Sequence, residues 1–144
     1  MLEQLFEPVV IGGQTLPNRF VLPPLTRSRA QADGVPTSLM VEYYRQRAGA
    51  GLVIAEGTVV SAQGSAYANV PGLYSDEQVA GWRPVVEAAA AEGAAVYAQL
   101  WHVGRQAHSS MQPDGCPPWG PSPIAIAGWE YRSPAGPVPF EVPR

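Results

Sequence analysis

Three residues that could take part in binding or chemistry lie at or just beyond the ends of short apolar runs. Thr26 follows the run 20–22, Gly57 follows the run 52–55, and Gln99 lies at the end of a third run. The hydroxyl and the amide can donate and accept hydrogen bonds, while a residue without Cβ permits close backbone approach to a planar ring. Each also has an ordinary interpretation: a turn threonine, a strand-end glycine or a buried glutamine bonded to backbone.

Other reactive residue types form no group that suggests a site. His102 and His108 are six residues apart, which places them on no shared face of a helix or strand, so we expect no metal site. The single cysteine, Cys116, lies among prolines without a neighbouring base, and it has no internal disulfide partner.

The elements that would position these residues follow an alternating pattern. The three apolar runs are continuous, which is typical of strands in a parallel sheet covered on both faces. A helical pattern over about 38–48 begins after Thr37, the predicted N-cap, and a second begins at Ser75, where a Ser-Asp-Glu-Gln sequence predicts a capping box. Pro84 lies inside the second pattern and predicts a kink or two abutting helices. This order predicts right-handed βαβ units in an α/β fold.

The two ends of the chain depart from this pattern. Residues 9–16 predict a small hairpin that turns at Gly12-Gly13. Nine of the 16 prolines lie between Pro113 and Pro143, which excludes a regular helix or a central strand, so a long functional loop and a tail are the two alternatives. Three parallel strands with two helices leave both sheet edges open, and the architecture therefore predicts further polypeptide.

Composition excludes several classes of partner. The 144 residues carry a net charge of −3 and are 46% apolar, which fits a globular protein rather than a disordered one. The nine basic residues form no stripe of the kind that a nucleic acid requires, so we expect no nucleic-acid partner. No apolar run approaches the roughly 20 residues that span a bilayer, and the first residues lack a signal-peptide pattern. We therefore expect no membrane association and a cytoplasmic location.

An ordered set of segments carries a family resemblance. Its members are Leu5-Phe6-Glu7-Pro8, Leu16-Pro17-Asn18-Arg19-Phe20-Val21-Leu22-Pro23-Pro24-Leu25-Thr26-Arg27, Pro36-Thr37, Glu42-Tyr43-Tyr44-Arg45-Gln46-Arg47-Ala48, Gly51-Leu52-Val53-Ile54-Ala55-Glu56-Gly57-Thr58, Pro71-Gly72-Leu73-Tyr74-Ser75-Asp76-Glu77-Gln78 and Gln99-Leu100-Trp101-His102-Val103-Gly104-Arg105. In this order the segments resemble the old yellow enzyme family, particularly its N-ethylmaleimide reductase-like branch. The resemblance covers essentially the entire chain.

The resemblance implies a fold and a position within it. Family members are (β/α)8 TIM barrels with FMN at the carboxyl ends of the strands, and they are more than twice as long as this chain. The chain would form the N-terminal part of such a barrel, with a capping hairpin in 1–18, the first three strands and two helices in 19–105, and a proline-rich loop region in 106–144. Residues after barrel strands are where such enzymes place their chemistry.

The resemblance also implies roles for individual residues. Pro24, Leu25, Thr26, Gly57 and Gln99 would bind FMN. The Thr26 hydroxyl would bond the flavin carbonyl O4 and tune the flavin potential, which is its catalytic contribution, and the Gln99 amide suits the pyrimidine edge of the flavin.

Two aromatic residues are carried over as parts of the substrate pocket. Trp101 would form a wall of that pocket, and Tyr67, in the loop after the second strand, matches a position near the substrate. For both residues, simple packing is the alternative interpretation.

The activity that the resemblance implies is that of an ene-reductase. Hydride would pass from NAD(P)H through FMN to the activated C=C of a small α,β-unsaturated carbonyl or nitro compound. In the family, two side chains grip the substrate carbonyl and a tyrosine donates a proton. These residues follow later strands of the barrel, and none of them has a match here. We therefore consider two leading hypotheses: a chain that is active only when a complementary chain carrying the rest of the barrel is supplied, and a non-catalytic fragment or interaction module of the same fold. A third alternative is another flavin- or phosphate-binding barrel of related architecture.

Overall fold

The computed structural model describes residues 2–133 and 135–144; Met1, in the predicted capping segment, and Pro134, in the proline-rich region, lie outside the described residues. Seven strands and two α-helices are present in the described part of the chain. In chain order they are β1 (Val9–Ile11), β2 (Gln14–Leu16), β3 (Val21–Leu22), α1 (Ser38–Arg45), β4 (Leu52–Val59), α2 (Asp76–Ala91), β5 (Ala95–Trp101), β6 (Glu130–Ser133) and β7 (Gly136–Pro139).

The predicted hairpin near the start of the chain is confirmed. Strands β1 and β2 pair antiparallel, with Ile11 opposite Gln14. The turn residues Gly12 and Gly13 have φ angles of 57° and 83°, and a tight turn with two such residues favours glycine. The Tyr97 hydroxyl donates to Gln14 Oε1 (2.8 Å), which ties the hairpin to the middle of β5.

The three apolar runs form the predicted parallel sheet, in the order β3-β4-β5. Strand β4 is longer than predicted and continues to Val59, so Gly57 lies inside the strand rather than after it. The extension arises because Gly57, Thr58 and Val59 pair with the last three residues of β5 after a register shift at Glu56. Gly57 and Thr58 thus remain in the strand because β5 supplies hydrogen-bond partners for the backbone of this segment.

The two helices cover one face of this sheet. Their buried side chains include Met40 and Tyr44 from α1 and Trp82 and Val85 from α2, and these pack against Val53 of β4. The rings of Tyr44 and Trp82 are tilted against each other with centroids 6.2 Å apart. This cluster is the main hydrophobic core and holds both helices at fixed positions on β4.

Of the two predicted helix N-caps, one is confirmed and one is wrong. The capping box of α2 is confirmed, because Ser75 Oγ accepts from the Gln78 amide (3.3 Å) and Gln78 Oε1 accepts from the Ser75 amide (3.3 Å). The predicted side-chain cap of Thr37 on α1 is wrong. Thr37 occupies the N-cap position, but its hydroxyl donates to the Arg29 carbonyl (2.7 Å) and so serves the preceding loop.

Pro84 does not divide α2. The helix is continuous from Asp76 to Ala91, so the alternative of two abutting helices is wrong. Both Pro84 and Ala80, whose carbonyl lacks its usual helical donor, lie on the exposed side of the helix. Water can therefore hydrate that carbonyl, which lowers the cost of a proline at this position.

The proline-rich region contains a hairpin that the sequence patterns did not predict. Strands β6 and β7 pair antiparallel, with Tyr131 opposite Val138. The Tyr131 hydroxyl donates to the Ala66 carbonyl (2.7 Å), and Tyr131 packs in a second small core with Ala66 and Val103. This part of the chain therefore folds back onto the loop after β4.

Both edges of the three-stranded sheet are open within residues 2–133 and 135–144. Strands β3 and β5 each pair only with β4 in this part of the chain. Tyr97 and Leu100 point to opposite sides of β5, and their side chains are 53% and 66% exposed. The open edges agree with the expectation of further polypeptide. In the described ranges, no helix has the length and apolar character needed to cross a membrane.

Gln78 joins the start of α2 to two loops. Its side chain is 1% exposed, its Nε2 donates to the Asp33 carbonyl (2.8 Å), and its Oε1 accepts from the Tyr74 amide (2.9 Å). A Cβ atom at Gly72 would lie 2.5 Å from this amide, so Gly72 must remain glycine for the arrangement to fit.

We predict that Gln78→Ala lowers the free energy of unfolding by about 2–4 kcal/mol, because it opens a cavity where the buried side chain lay and removes hydrogen bonds to part-buried backbone groups. Urea denaturation measures the change. Glu87→Ala, at an exposed position of the same helix, is the matched control and should change stability by less than about 0.5 kcal/mol. Equal effects of the two substitutions would contradict the assignment.

Candidate functional site

The candidate residues gather at the carboxyl edge of the parallel sheet. The loop that follows β3 contains Pro24, Leu25 and Thr26, and the register places Gly57 of β4 opposite Gln99 of β5. Two residues further along the same strands, Val59 pairs with Trp101. Parallel strands bring their carboxyl ends to one edge, so segments distant in sequence share one surface.

Polar groups on this surface are open to a ligand. Thr26 and Gln99 are exposed, so the hydroxyl and the amide are accessible, whereas Gly57 between their strands is buried. Leu25 is 49% exposed and Pro24 is half-buried. Hydrogen-bonding groups beside the apolar residues 23–25 are what a flat, polar-edged heterocycle requires, so the residues present fit a flavin ring.

Gly57 is required by a neighbouring side chain. A Cβ atom at this position would lie 2.3 Å from Cε3 of the Trp101 indole, so only glycine lets the ring rest against β4. The indole in turn stacks on the ring of Tyr67, with centroids 5.6 Å apart and an interplanar angle of 19°. The structure thus joins Gly57, Trp101 and Tyr67 in one layered group. Contact of Gly57 with a flavin stays a prediction.

A groove continues from this aromatic group. It has a volume of about 550 Å³, and besides Tyr67 its lining includes the apolar side chains of Ile126, Trp129, Tyr131 and Phe140. The hairpin β6–β7 provides part of this lining, so the proline-rich region contributes to the candidate site. Gln106, Glu130 and Arg132 complete the lining, so the groove is suited to a small, mostly apolar molecule with a polar group.

A buried carboxylate beside the site was not predicted from the sequence. Glu56 is fully buried at the register shift between Ala55 and Gly57. Its Oε2 accepts from the Arg27 amide (2.9 Å), and its Oε1 accepts from the Tyr44 hydroxyl (3.2 Å). An acidic residue directly after an apolar run was the available signal.

Burial governs the electrostatics of this pair. It raises the pKa of Glu56 because the charged form loses hydration, although the amides of Arg27 and Ser28 and the Tyr44 hydroxyl act in the opposite direction. Burial also raises the pKa of Tyr44, and the nearby Glu56 carboxylate adds to that effect. Tyr44 therefore remains a neutral hydrogen-bond donor at neutral pH.

The two histidines have local structural contacts. His102 Nδ1 accepts from the Gly104 amide (3.1 Å), and the His108 ring stacks on Tyr131 with centroids 5.2 Å apart. Within the described ranges, no group of three or more His, Cys, Asp or Glu side chains is placed to hold a metal ion.

Parallel strands joined by helices, with polar and aromatic groups collected at the carboxyl edge, define an α/β protein with a candidate binding site at the strand ends. A family model for the NADH:flavin oxidoreductase / NADH oxidase family matches residues 4–133. The chain belongs to this family, which contains the old yellow enzymes and uses FMN.

Individual relatives agree with the assignment. The chain is 44% identical over 134 residues to 12-oxophytodienoate reductase 7 of Oryza sativa subsp. japonica, covering 92% of this chain and 34% of the rice protein. It is 38% identical over 127 residues to a probable flavin mononucleotide-dependent alkene reductase of Leishmania infantum, covering 88% of this chain and 35% of that protein. The chain thus spans about a third of the length of these curated relatives.

Solved structures show the same relation. Morphinone reductase in complex with tetrahydroNAD superimposes with a TM-score of 0.89 at 45% identity, covering 97% of this chain and 40% of that enzyme. An old yellow enzyme homologue from Zymomonas mobilis gives 0.87 at 42% identity, covering 98% of this chain and 39% of that enzyme. The predicted family is confirmed, and the chain corresponds to the N-terminal part of these barrel enzymes.

We predict that Gly57→Ala destabilises the protein by about 1–3 kcal/mol, because the added methyl group displaces the Trp101 indole from a well-packed position. Near-ultraviolet circular dichroism should show loss of the Trp101–Tyr67 stacking, and urea denaturation gives the energy. Gly49→Ala is the control, since a Cβ atom there meets nothing within 4 Å. A Gly57→Ala variant with an unchanged aromatic spectrum would contradict the packing argument.

Proposed function

We propose that this chain forms the flavin-holding first part of an FMN- and NAD(P)H-dependent ene-reductase that acts in the cytoplasm on small activated alkenes. The observation that carries the proposal is the meeting of Thr26, Gly57 and Gln99 at one carboxyl edge of a parallel sheet. The family assignment and the accessible polar groups of Thr26 and Gln99 support it.

FMN, when bound, supplies the hydride transfer from NAD(P)H to the C=C bond of an α,β-unsaturated carbonyl or nitro compound. The residues of this chain bind and orient that group. The Thr26 hydroxyl would donate to the flavin carbonyl O4, and the Gln99 amide would bond the pyrimidine edge. Pro24 and Leu25 would border the ring through the loop backbone. A donor at the carbonyl favours the reduced, negatively charged flavin and so raises its potential.

Tyr67 and Trp101 would form the substrate wall. Their stacked rings present a flat surface, and the adjoining groove is lined largely by apolar groups that suit a small alkene. The side chains that grip the substrate carbonyl and protonate the product are assigned to the remaining strands. Such a carbonyl-binding pair normally supplies a large share of transition-state stabilisation, so residues 2–133 and 135–144 alone should bind without completing the reaction.

The proposal requires a complementary polypeptide that carries the rest of the barrel. The open edge of β5 supplies unpaired backbone groups for a further parallel strand. Val79 and Val86 on the outer side of α2 are 47% and 41% exposed, and a neighbouring helix would cover them. The same open surfaces also suit the second candidate, a non-catalytic interaction module of this fold.

Complementation separates the two candidates. We predict that the chain, co-expressed with the portion of morphinone reductase that it does not match, forms a yellow complex that oxidises NAD(P)H in the presence of a simple α,β-unsaturated ketone. The readouts are the mass of the complex, its visible spectrum and its activity. A stable but colourless complex would contradict the enzyme proposal and favour the interaction module. Failure to assemble with this partner or with the matching portion of the Zymomonas mobilis enzyme would contradict both.

We predict that Gln99→Ala raises the FMN dissociation constant of the completed barrel by about tenfold, because it removes one or two hydrogen bonds to the ring. Fluorescence titration of the apoprotein with FMN measures the change. Gln46→Ala, in the turn after α1 and hydrogen-bonded to Glu42, is the control and should bind like the unmodified protein. Unchanged FMN affinity of the Gln99→Ala variant would remove Gln99 from the site.

A further inference from the structure

We propose that Glu56 is a positioning residue for the flavin-facing loop, defined as residues 23–30. Its carboxylate, held at the register shift within β4, fixes the backbone of Arg27 and thereby the Thr26 hydroxyl one residue before it. The consequence for flavin rests on the function proposed above, whereas the ordering of the loop does not.

The carboxylate is fully committed to the protein. Arg27 donates to one oxygen at 2.9 Å and Tyr44 donates to the other at 3.2 Å, so both oxygens act as acceptors, which suits the ionised form. The backbone amide of Glu56 also donates to the Tyr44 hydroxyl oxygen (2.8 Å). Tyr44 thus holds Glu56 at two atoms, and its own ring is locked in the main core.

The loop backbone is shaped to receive a negative charge. Ser28 has a φ of 52°, a left-handed conformation that costs energy for a residue other than glycine. Successive residues with alternating handedness turn their amides to one side and form a concavity that binds anions. The amides of Arg27 and Ser28 both favour the ionised form of Glu56. The Glu56 carboxylate therefore lies against the amides at the left-handed turn of the loop, where its hydrogen bond with Arg27 holds the backbone next to Ser28.

The two ends of the loop have separate anchors. At its start, β3 pairs with β4. At its end, the Ala30 amide donates to the Asn69 carbonyl (3.0 Å) and the Arg29 carbonyl accepts from the Thr37 hydroxyl (2.7 Å). Glu56 contacts the middle of the loop, next to Thr26. Removing the carboxylate should therefore loosen residues 25–28 and leave the flanking residues in place.

The test uses Glu56→Gln, which keeps the volume but removes the charge, in the completed barrel. Tyr44→Phe, which removes the hydroxyl that holds the carboxylate, is the second variant. Glu87→Gln, at an exposed position of α2, is the matched control. Amide hydrogen exchange of the FMN-free protein is measured by mass spectrometry, and the potential of bound FMN is measured by dye equilibration. Thr26→Ala and Thr26→Ser provide the reference for loss and retention of the hydroxyl.

We expect exchange of the amides in 25–28 to accelerate by about tenfold or more in Glu56→Gln, and by a smaller factor in Tyr44→Phe, since each loses a hydrogen bond to or from a charged group. Exchange in 31–37 and in β4 should stay unchanged. The flavin potential should fall in Glu56→Gln in the same direction as in Thr26→Ala, whereas Thr26→Ser and Glu87→Gln should match the unmodified protein.

Each outcome bears on one proposal. Unchanged amide exchange in 25–28 would overturn the positioning role, and so would an acceleration spread equally over the core. The role would also be overturned if Thr26→Ala shifts the potential of bound FMN and Glu56→Gln does not. If Glu56→Gln does not fold, Tyr44→Phe decides by the same criteria. If the unmodified barrel binds no FMN, the proposed function fails, and the exchange pattern alone then supports or overturns the role of Glu56 in the loop.

Discussion

The register shift in β4 is the constraint on which the candidate site depends. Ala55 pairs with Ala98 and Gly57 pairs with Gln99, so Glu56 is an extra residue in β4. In a regular strand successive side chains alternate between faces, and one inserted residue reverses that alternation beyond it. Here the insertion lets both Ala55 and Glu56 face the helices, while Gly57 meets the indole of Trp101. Three successive residues therefore connect the main parts of the site: Ala55 lies in the core, Glu56 anchors the loop, and Gly57 contacts the aromatic group.

Elements that depend on local sequence were predictable. The continuous apolar runs identified all three parallel strands, and the paired glycines identified the first hairpin, because a turn with two left-handed residues has few other solutions. The capping box of α2 was likewise predictable, since all of its atoms lie within four consecutive residues. The assignment of the site to the carboxyl edge followed from parallel pairing and from the family resemblance.

The features that the sequence did not reveal depend on distant partners. Thr37 has the residue type of a cap, yet the Arg29 carbonyl, eight residues earlier, takes its hydroxyl. Strand β4 continues beyond Glu56 because β5 pairs with Gly57, Thr58 and Val59. The hairpin β6–β7 forms against Ala66, which is 65 residues from Tyr131. Glu56 resembles an ordinary strand-end acid until Tyr44 and Arg27 are brought to it. In each case a tertiary contact outweighs the local preference.

The position of Trp101 also limits how Gly57 can serve a flavin. The absence of a side chain at Gly57 suggests an open approach to the backbone, but the direction in which a Cβ would point is filled by the indole. A second planar ring must therefore approach Gly57 from the side of its backbone atoms, because the indole of Trp101 occupies the side-chain direction. Gly57 then leaves room for the Trp101 indole in its side-chain direction, and its proposed contact with the flavin is made by its backbone. Trp101 connects Gly57 to the groove. Its ring packs on Gly57 and is also stacked on Tyr67, which lies at the start of the groove.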